Sequence, residues 1–313
     1  KKLFSESFLK NKSKNDQFNI FFARANILHK KKNYKESAKC LKLANQLKIL
    51  IHPSNSESLI KKSKLLLIES NKATLNLKKQ KNNPQSIFIV GMPRSGTTLV
   101  ESIISMNSEV LDLGEINAFE RSFKEWKEKK GKVALVDLYM QRINKALKSH
   151  ITTNKWLYNY QYAGIIASQI PNSKIIHCYR NPLDNILSIY RTNFAKDNEY
   201  SSSLIDCAII YLDHKQIMKE YKKRFPENIY DLNYDLLVKN PDKEIKSLIN
   251  WLGWKWNKAY LKPHLSKRLV FTASDVQIRS KINSKSVGGW KNYKDMLKPA
   301  IKIITQDDEY KNL

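Results

Sequence analysis

Apolar positions along the first part of the chain recur at helical spacing. Phe21, Ala25 and Leu28 stand at i, i+4 and i+7. After a polar break at Asn33 the stripe resumes through Tyr34, Ala38, Leu41 and Ala44. Residues three and four apart share one helix face, so this pattern predicts a helical hairpin over residues 18–50. ESLIKKSKLLLIES extends the helical pattern over 53–80, and KKQKNNPQ then interrupts it as a linker. From there the rhythm changes. SIFIV at 86–90, KIIHCY at 174–179 and NIYDLNY at 228–234 are short apolar runs of strand length. The first runs into a helix with Leu99, Ile103 and Ile104 on one face, and the second into a helix starting near residue 182. In NPDKEIKSLINWL, Asn240 is placed to cap a helix and Pro241 suits its first position. Ile245, Leu248, Ile249 and Leu252 supply the apolar stripe. Strand–helix alternation implies a parallel sheet covered on both faces. The expected fold is α/β: a three-layer domain with a central parallel sheet over 86–313, preceded by a small all-α region over 1–80.

Composition narrows the class. The 313 residues are 42% hydrophobic, enough for a sizeable core. There is no apolar run near 18 residues and no apolar leader with a small-residue cleavage site, so a cytoplasmic protein without a membrane span is expected. The first residue is Lys1, so a trimmed start, with a targeting segment or further repeats before it, stays open. Cys40, Cys178 and Cys207 are odd in number and widely spaced, which fits reduced thiols and neither a disulfide framework nor a zinc site. Net charge is +27, from 56 basic and 29 acidic residues. The basic residues are mostly lysines spread along the whole chain, without the interleaved aromatics of a nucleic-acid module. Nucleic acid is therefore not expected as a partner, although the surplus would draw in polyanionic ligands.

The chemistry concentrates in FIVGMPRSGTTLVESII, residues 88–104. Set against the phosphate-loop pattern G-x-x-x-x-G-K-[ST], Gly91, Gly96 and Thr98 fit, but Thr97 stands where the lysine for β/γ-phosphates belongs. A strand–turn–helix of this kind aims backbone N–H groups and a helix dipole at one point. Ser95, Thr97 and Thr98 add hydroxyl donors, and Arg94 adds a planar fork suited to phosphate or sulfate oxygens. A second anion site is expected in YRNPLDNILS, residues 179–188. There Arg180 ends a strand, Asn181 and Pro182 open a helix, and Ser188 lies two turns along. Two such sites suggest a nucleotide phosphorylated at two separated places.

GMPRSGTTLVESI, KIIHCYRNPLDNILSIY and TASDVQIRSKINSKSVGGW resemble the sulfotransferases attached to tetratricopeptide repeats and, more distantly, protein-tyrosine sulfotransferases. NYKESAKCLKLANQL is similar to the second half of one such repeat. The resemblance spans roughly residues 86–297. It implies a fold like that of nucleotide kinases and 3′-phosphoadenosine 5′-phosphosulfate (PAPS) as donor, with 3′,5′-ADP (PAP) as product and no metal. By resemblance the 5′ site maps onto Arg94, Ser95, Gly96, Thr97 and Thr98, and the 3′-phosphate site onto Arg180 and Ser188. Tyr234 in NYDLLVKNP would lie near the nucleotide. Glu115 in VLDLGEINAF matches a catalytic glutamate base, with Asp112 as fallback. Lys155 matches the lysine that stabilises charge, and Ser274 a serine near the bridging oxygen. A histidine base is the rival, and His177, inside an apolar strand, reads as a core or supporting histidine instead.

Two departures qualify the resemblance. Gly289 precedes Trp290 where an arginine or lysine is common, so one donor contact to the nucleotide is either missing or supplied by Lys291. Trp156 and Leu157 follow Lys155 where the family has K-x-P, which bears on the acceptor side. The acceptor hydroxyl is left open among a protein tyrosine, a sugar and a small phenol or alcohol, and a homodimer is compatible with all of these. The competing functions are a catalytically degenerate nucleotide-binding and protein-interaction module, and a P-loop kinase.

Overall fold

The computed structural model describes residues 2–72, 84–143, 150–194, 198–266 and 280–313. In chain order its helices and strands begin with α1 (Lys14–Lys30), α2 (Tyr34–Ile51), α3 (Ser56–Lys72), β1 (Gln85–Gly91), α4 (Thr97–Ile104) and β2 (Val110–Asp112). Then come α5 (Ala118–Glu128), α6 (Leu135–Arg142), β3 (Ile151–Asn154), α7 (Ala163–Gln169), β4 (Ser173–Tyr179) and α8 (Pro182–Tyr190). The chain closes with α9 (Leu204–Arg224), β5 (Ile229–Asn233), α10 (Tyr234–Lys239), α11 (Pro241–Trp251) and α12 (Lys294–Ile304). It divides into two compact units. The first comprises Lys1–Lys61, Asn181–Asp213 and Lys285–Leu313, and the second Lys62–Arg180 and His214–Ser284.

In the first unit the predicted hairpin is present as α1 and α2. Ser13 caps α1 by accepting from the Asp16 N–H, and Asn33 caps α2 by accepting from the Glu36 N–H. The buried face is Phe18, Phe22 and Ala25 against Leu41 and Ala44, while Phe21 and Leu28 of the expected stripe are only half-buried. Small residues let the helices approach: the Ser37 hydroxyl donates to the Ala25 carbonyl at 2.8 Å. Asn45 then donates to the carbonyl of Tyr190, which ties α2 to the end of α8.

The second unit carries a five-stranded sheet in the order β2-β3-β1-β4-β5, parallel throughout. Side chains along a strand alternate between faces, and β1 shows the consequence. Phe88 and Val90 join one core, with Phe119, Tyr139, Ile166 and Tyr221 from α5, α6, α7 and α9. Ile87 and Ile89 join the other, with Val100, Ile103, Leu237 and Leu248 from α4, α10 and α11. All four β1 side chains are fully buried, each contributing roughly 1.5–3 kcal/mol. This is the three-layer α/β arrangement that the alternation predicts. Two strands were not visible in the pattern. β2 and β3 have three and four residues, too short for a period to emerge. Asn240 does occupy the N-cap position of α11, but its side chain makes no capping bond. Asn233 caps α10 instead, accepting from the Asp235 and Leu236 N–H groups.

Candidate functional site

β1 ends in the centre of the sheet and turns at once into α4. Gly91 makes the first bend possible. Its φ is 149°, and a Cβ there would lie 2.3 Å from the Cys178 carbonyl oxygen of β4. The loop closes with the Ser95 N–H on the Met92 carbonyl, and it holds Arg94 at φ 67°, a left-handed conformation uncommon for a non-glycine residue. Gly96, at φ 97°, is the N-cap of α4 and has no side chain to satisfy the first-turn N–H groups. Ser95, Thr97 and Thr98 are buried around it. The Ser95 hydroxyl has no hydrogen-bond partner among the described residues, so a buried donor is left for an anionic oxygen. The loop thus fits a phosphate or phosphosulfate group.

Lys155 and Glu115 meet beside this loop. Their meeting follows from strand register. β2 and β3 pair Val110 with Ile151, Leu111 with Thr152 and Asp112 with Thr153. The ladder continues past both strands, with the Leu113 N–H on the Thr153 carbonyl and the Lys155 N–H on the Gly114 carbonyl. Asn154 fixes the turn that follows by accepting from the Trp156 N–H and from the Asn159 side chain. The Lys155 ammonium then lies 2.5 Å from Glu115 Oε1 and 3.7 Å from Glu101 Oε2 of α4. Lys155 is 1% exposed, Glu101 0% and Glu115 42%, so one cation and one carboxylate are buried and the second carboxylate reaches solvent. Glu101 escaped the sequence reading. Its signal was legible: it is the one charged residue in TTLVESII, a helix buried nearly all round. Asp112, the fallback base, is engaged structurally, accepting from the Gly114 N–H at 2.8 Å and from the Thr153 hydroxyl at 3.4 Å. Burial pushes the Cys178 thiol up, and nearby Lys155 pulls the other way only in part, so this cysteine stays a neutral core thiol.

Arg180 and Tyr234 form a third cluster in the same unit. The Tyr234 ring packs over Gly96, where a Cβ would lie only 2.3 Å from its Cδ2. The Arg180 guanidinium sits over the Tyr234 ring, 4.8 Å from its centroid, with Nε 3.9 Å from Asp235 Oδ1. Arg180 is 5% exposed, so a buried cation lies one aromatic ring away from the phosphate loop. His177 lies two residues before Tyr179 on β4 and is bound through Nδ1 to Asp231 Oδ1 at 2.8 Å, its register partner on β5. Burial alone would raise Asp231, but His177 and Lys222 outweigh it and hold the carboxyl low. The ring of His214 stands 4.9 Å from that of His177, and burial, reinforced by His177, keeps His214 well below the usual histidine range. These histidines are core residues.

Ser188 falls in the first unit, half-buried on α8, where its carbonyl accepts from the Thr192 hydroxyl. That unit also explains the Asp of YRNPLD, which the sequence reading left without a role. Asn181 caps α8 on the Leu183 and Asp184 N–H groups. Asp184 accepts from the Gly288 N–H at 2.6 Å and from the Trp290 N–H at 2.9 Å, pinning the SVGGW turn to the start of α8. A Cβ at Gly289 would meet only Asp184 Oδ1, at 3.8 Å, so the turn has room for a side chain there. Lys291 follows Trp290 in the turn and is exposed. Ser274 lies outside the described residues. Among the described residues no group of three or more His, Cys, Asp or Glu is arranged to hold a metal, and no helix is long and apolar enough to cross a membrane.

A family model described as "Sulfotransferase family" matches residues 84–258, more than half of the chain, and covers the phosphate loop, Glu115, Lys155, Arg180 and Tyr234. The chain belongs to the sulfotransferase family. A relative from Aquifex aeolicus (strain VF5), described as an "Uncharacterized protein", is 30% identical over 311 residues, covering 91% of this chain. The chain spans 41% of that relative's length. A Caenorhabditis briggsae protein described as a "Putative protein-tyrosine sulfotransferase" is 23% identical over 232 residues, covering 67% of this chain and 81% of that protein. The sulfotransferase domain from the Synechococcus PCC 7002 olefin synthase superposes with a TM-score of 0.53 at 18% identity, over 72% of this chain and 96% of that one. The parallel sheet and its helices are thus the fold of a sulfotransferase domain, as the three motifs implied.

Proposed function

We propose that this protein transfers a sulfuryl group from PAPS to an acceptor hydroxyl, with Glu115 as the base. The observation that carries the proposal is the contact of Glu115 with Lys155 beside a phosphate loop whose lysine position is Thr97. PAPS supplies the activated sulfuryl group. The loop amides, the unpartnered Ser95 hydroxyl and Arg94 hold its 5′ end, and Arg180, stacked on Tyr234, suits the 3′-phosphate. Glu115 is the carboxylate of the cluster that reaches solvent, so it is the one an acceptor can approach. It takes the hydroxyl proton while the acceptor oxygen bonds to sulfur and the bond from sulfur to the bridging oxygen breaks. Lys155 stabilises the charge that develops on the departing PAP. Glu115 and Lys155 hold each other at 2.5 Å, and acceptor and donor must separate them before transfer.

The test is a thermal-shift titration without Mg²⁺, comparing PAP, ADP and 5′-AMP, followed by assay of PAP release from PAPS with phenolic, sugar and peptide acceptors. A ligand at one hundred times its dissociation constant adds roughly 2.7 kcal/mol to the folded state. Stabilisation by PAP well above ADP, together with acceptor-dependent PAP release, is the expected result. Equal stabilisation by ADP, or PAP binding without release on any acceptor, would overturn it.

A further inference from the structure

We propose that Glu101 is the standing counter-ion of Lys155, and that its presence is what leaves Glu115 free to act as a base; the proposal rests on the sulfotransfer reading of this site. The case begins with the surroundings of the buried cation. The Lys155 ammonium faces Glu101 from α4 and Glu115 from the segment after β2, and on the β4 side the nearby titratable group is the neutral thiol of Cys178. Two carboxylates therefore stand within reach of one buried cation. If Glu115 were alone in balancing Lys155, each proton it accepted would strand a cation that is 1% exposed, a costly state in a protein interior. With Glu101 present, the buried ammonium keeps a carboxylate within reach when Glu115 takes a proton.

Exposure assigns the two carboxylates to different tasks. Glu101 is 0% exposed and sits inside α4, where no acceptor can reach it. Glu115 is 42% exposed and can exchange a proton with a bound hydroxyl. The closer contact, 2.5 Å against 3.7 Å, belongs to Glu115, so the ammonium has a second carboxylate within reach when Glu115 turns to the acceptor. Glu101 acts through Lys155 and Glu115 and touches neither substrate, which makes it a positioning residue.

Glu101→Gln keeps the size and removes the charge. Because general-base catalysis contributes about 10²–10⁴-fold, partial loss of it predicts a kcat roughly 10- to 100-fold lower. PAP affinity should stay within about threefold of wild type, because Glu101 touches neither substrate. Glu101→Asp, which keeps the charge, should recover part of kcat. A kcat within twofold of wild type, parallel loss of kcat and PAP affinity, or an Asp variant no better than the Gln variant would each overturn the proposal. A second measurement is independent of chemistry and serves if either variant folds poorly: melting temperatures of Lys155→Met, Glu101→Gln and the double variant. A double variant that melts above Lys155→Met supports the pairing, and simple additivity overturns it. Should wild type fail to turn over PAPS, the sulfotransfer reading falls, while the melting cycle still decides whether Glu101 balances Lys155.

Discussion

Substituting Gly96 by alanine tests whether the phosphate loop is held in the shape its ligand needs. Two costs can be read from the structure. The backbone at Gly96 has φ 97° and ψ 7°, and an L-residue there pays about 1–2 kcal/mol. The added Cβ would also lie 2.3 Å from Tyr234 Cδ2, where ordinary contact begins at 3.4 Å. Overpacking of that size typically costs about 1–3 kcal/mol, and the half-buried Tyr234 ring can yield, which favours the lower part of that range. The ring cannot move alone, because Arg180 stacks on it. A total of roughly 2–3 kcal/mol, expressed in the loop, corresponds to PAP binding about 30- to 150-fold weaker. Isothermal titration of PAP into wild type, Gly96→Ala, Tyr234→Ala and the double variant separates the two costs. The double variant should lose less than the sum of the singles, because removing the ring removes the clash and leaves only the backbone strain. PAP affinity within twofold of wild type in Gly96→Ala, or strict additivity in the double variant, would refute the reasoning.

Glu115→Ala should abolish PAP release in the turnover assay while PAP affinity stays within a few-fold; loss of binding would make Glu115 structural. Arg180→Ala should weaken PAP roughly 10- to 100-fold by calorimetry, the range of a charged hydrogen-bonded contact, and 5′-AMP hardly at all. Equal losses for the two ligands would remove Arg180 from the 3′ site. The melting temperature should fall as pH drops below about 6.5, the ordinary histidine value. His214 is held well below that value by burial, and His29 is lowered to about 4, so the unfolded chain takes up protons that the folded one refuses. His214→Phe should flatten that slope, and a profile flat from pH 7.5 to 5.5 in wild type would count against this account.

Much of the candidate site could be read because it is local. The residues of GMPRSGTTL sit next to one another in sequence, and their chemistry needs only one strand–turn–helix to be assembled. Asn181 and Pro182 likewise declared a helix start that the structure contains. What the sequence hid is non-local. Forty positions separate Glu115 from Lys155, and the strands that join them are too short to show a period. Asp184 holds a turn more than one hundred residues away, which no spacing rule reveals. Asn240 was misjudged because position alone does not make a cap, since the side chain must also turn back onto the helix. Glu101 could have been found from its company: a carboxylate among apolar neighbours asks for a buried cation.

β2 is an edge strand of three residues, and Glu115, the proposed base, hangs from it by the Leu113 and Gly114 bonds to the end of β3. Edge segments with few buried contacts open at a small fraction of the free energy that unfolds a whole domain. The proposed base is therefore attached to a short edge strand, whereas the proposed anion-binding loop is anchored on β1 in the centre of the sheet. Heat should accordingly separate two properties that are usually lost together. The warmed protein would cease to transfer while it still bound nucleotide, and inactivation would run ahead of melting.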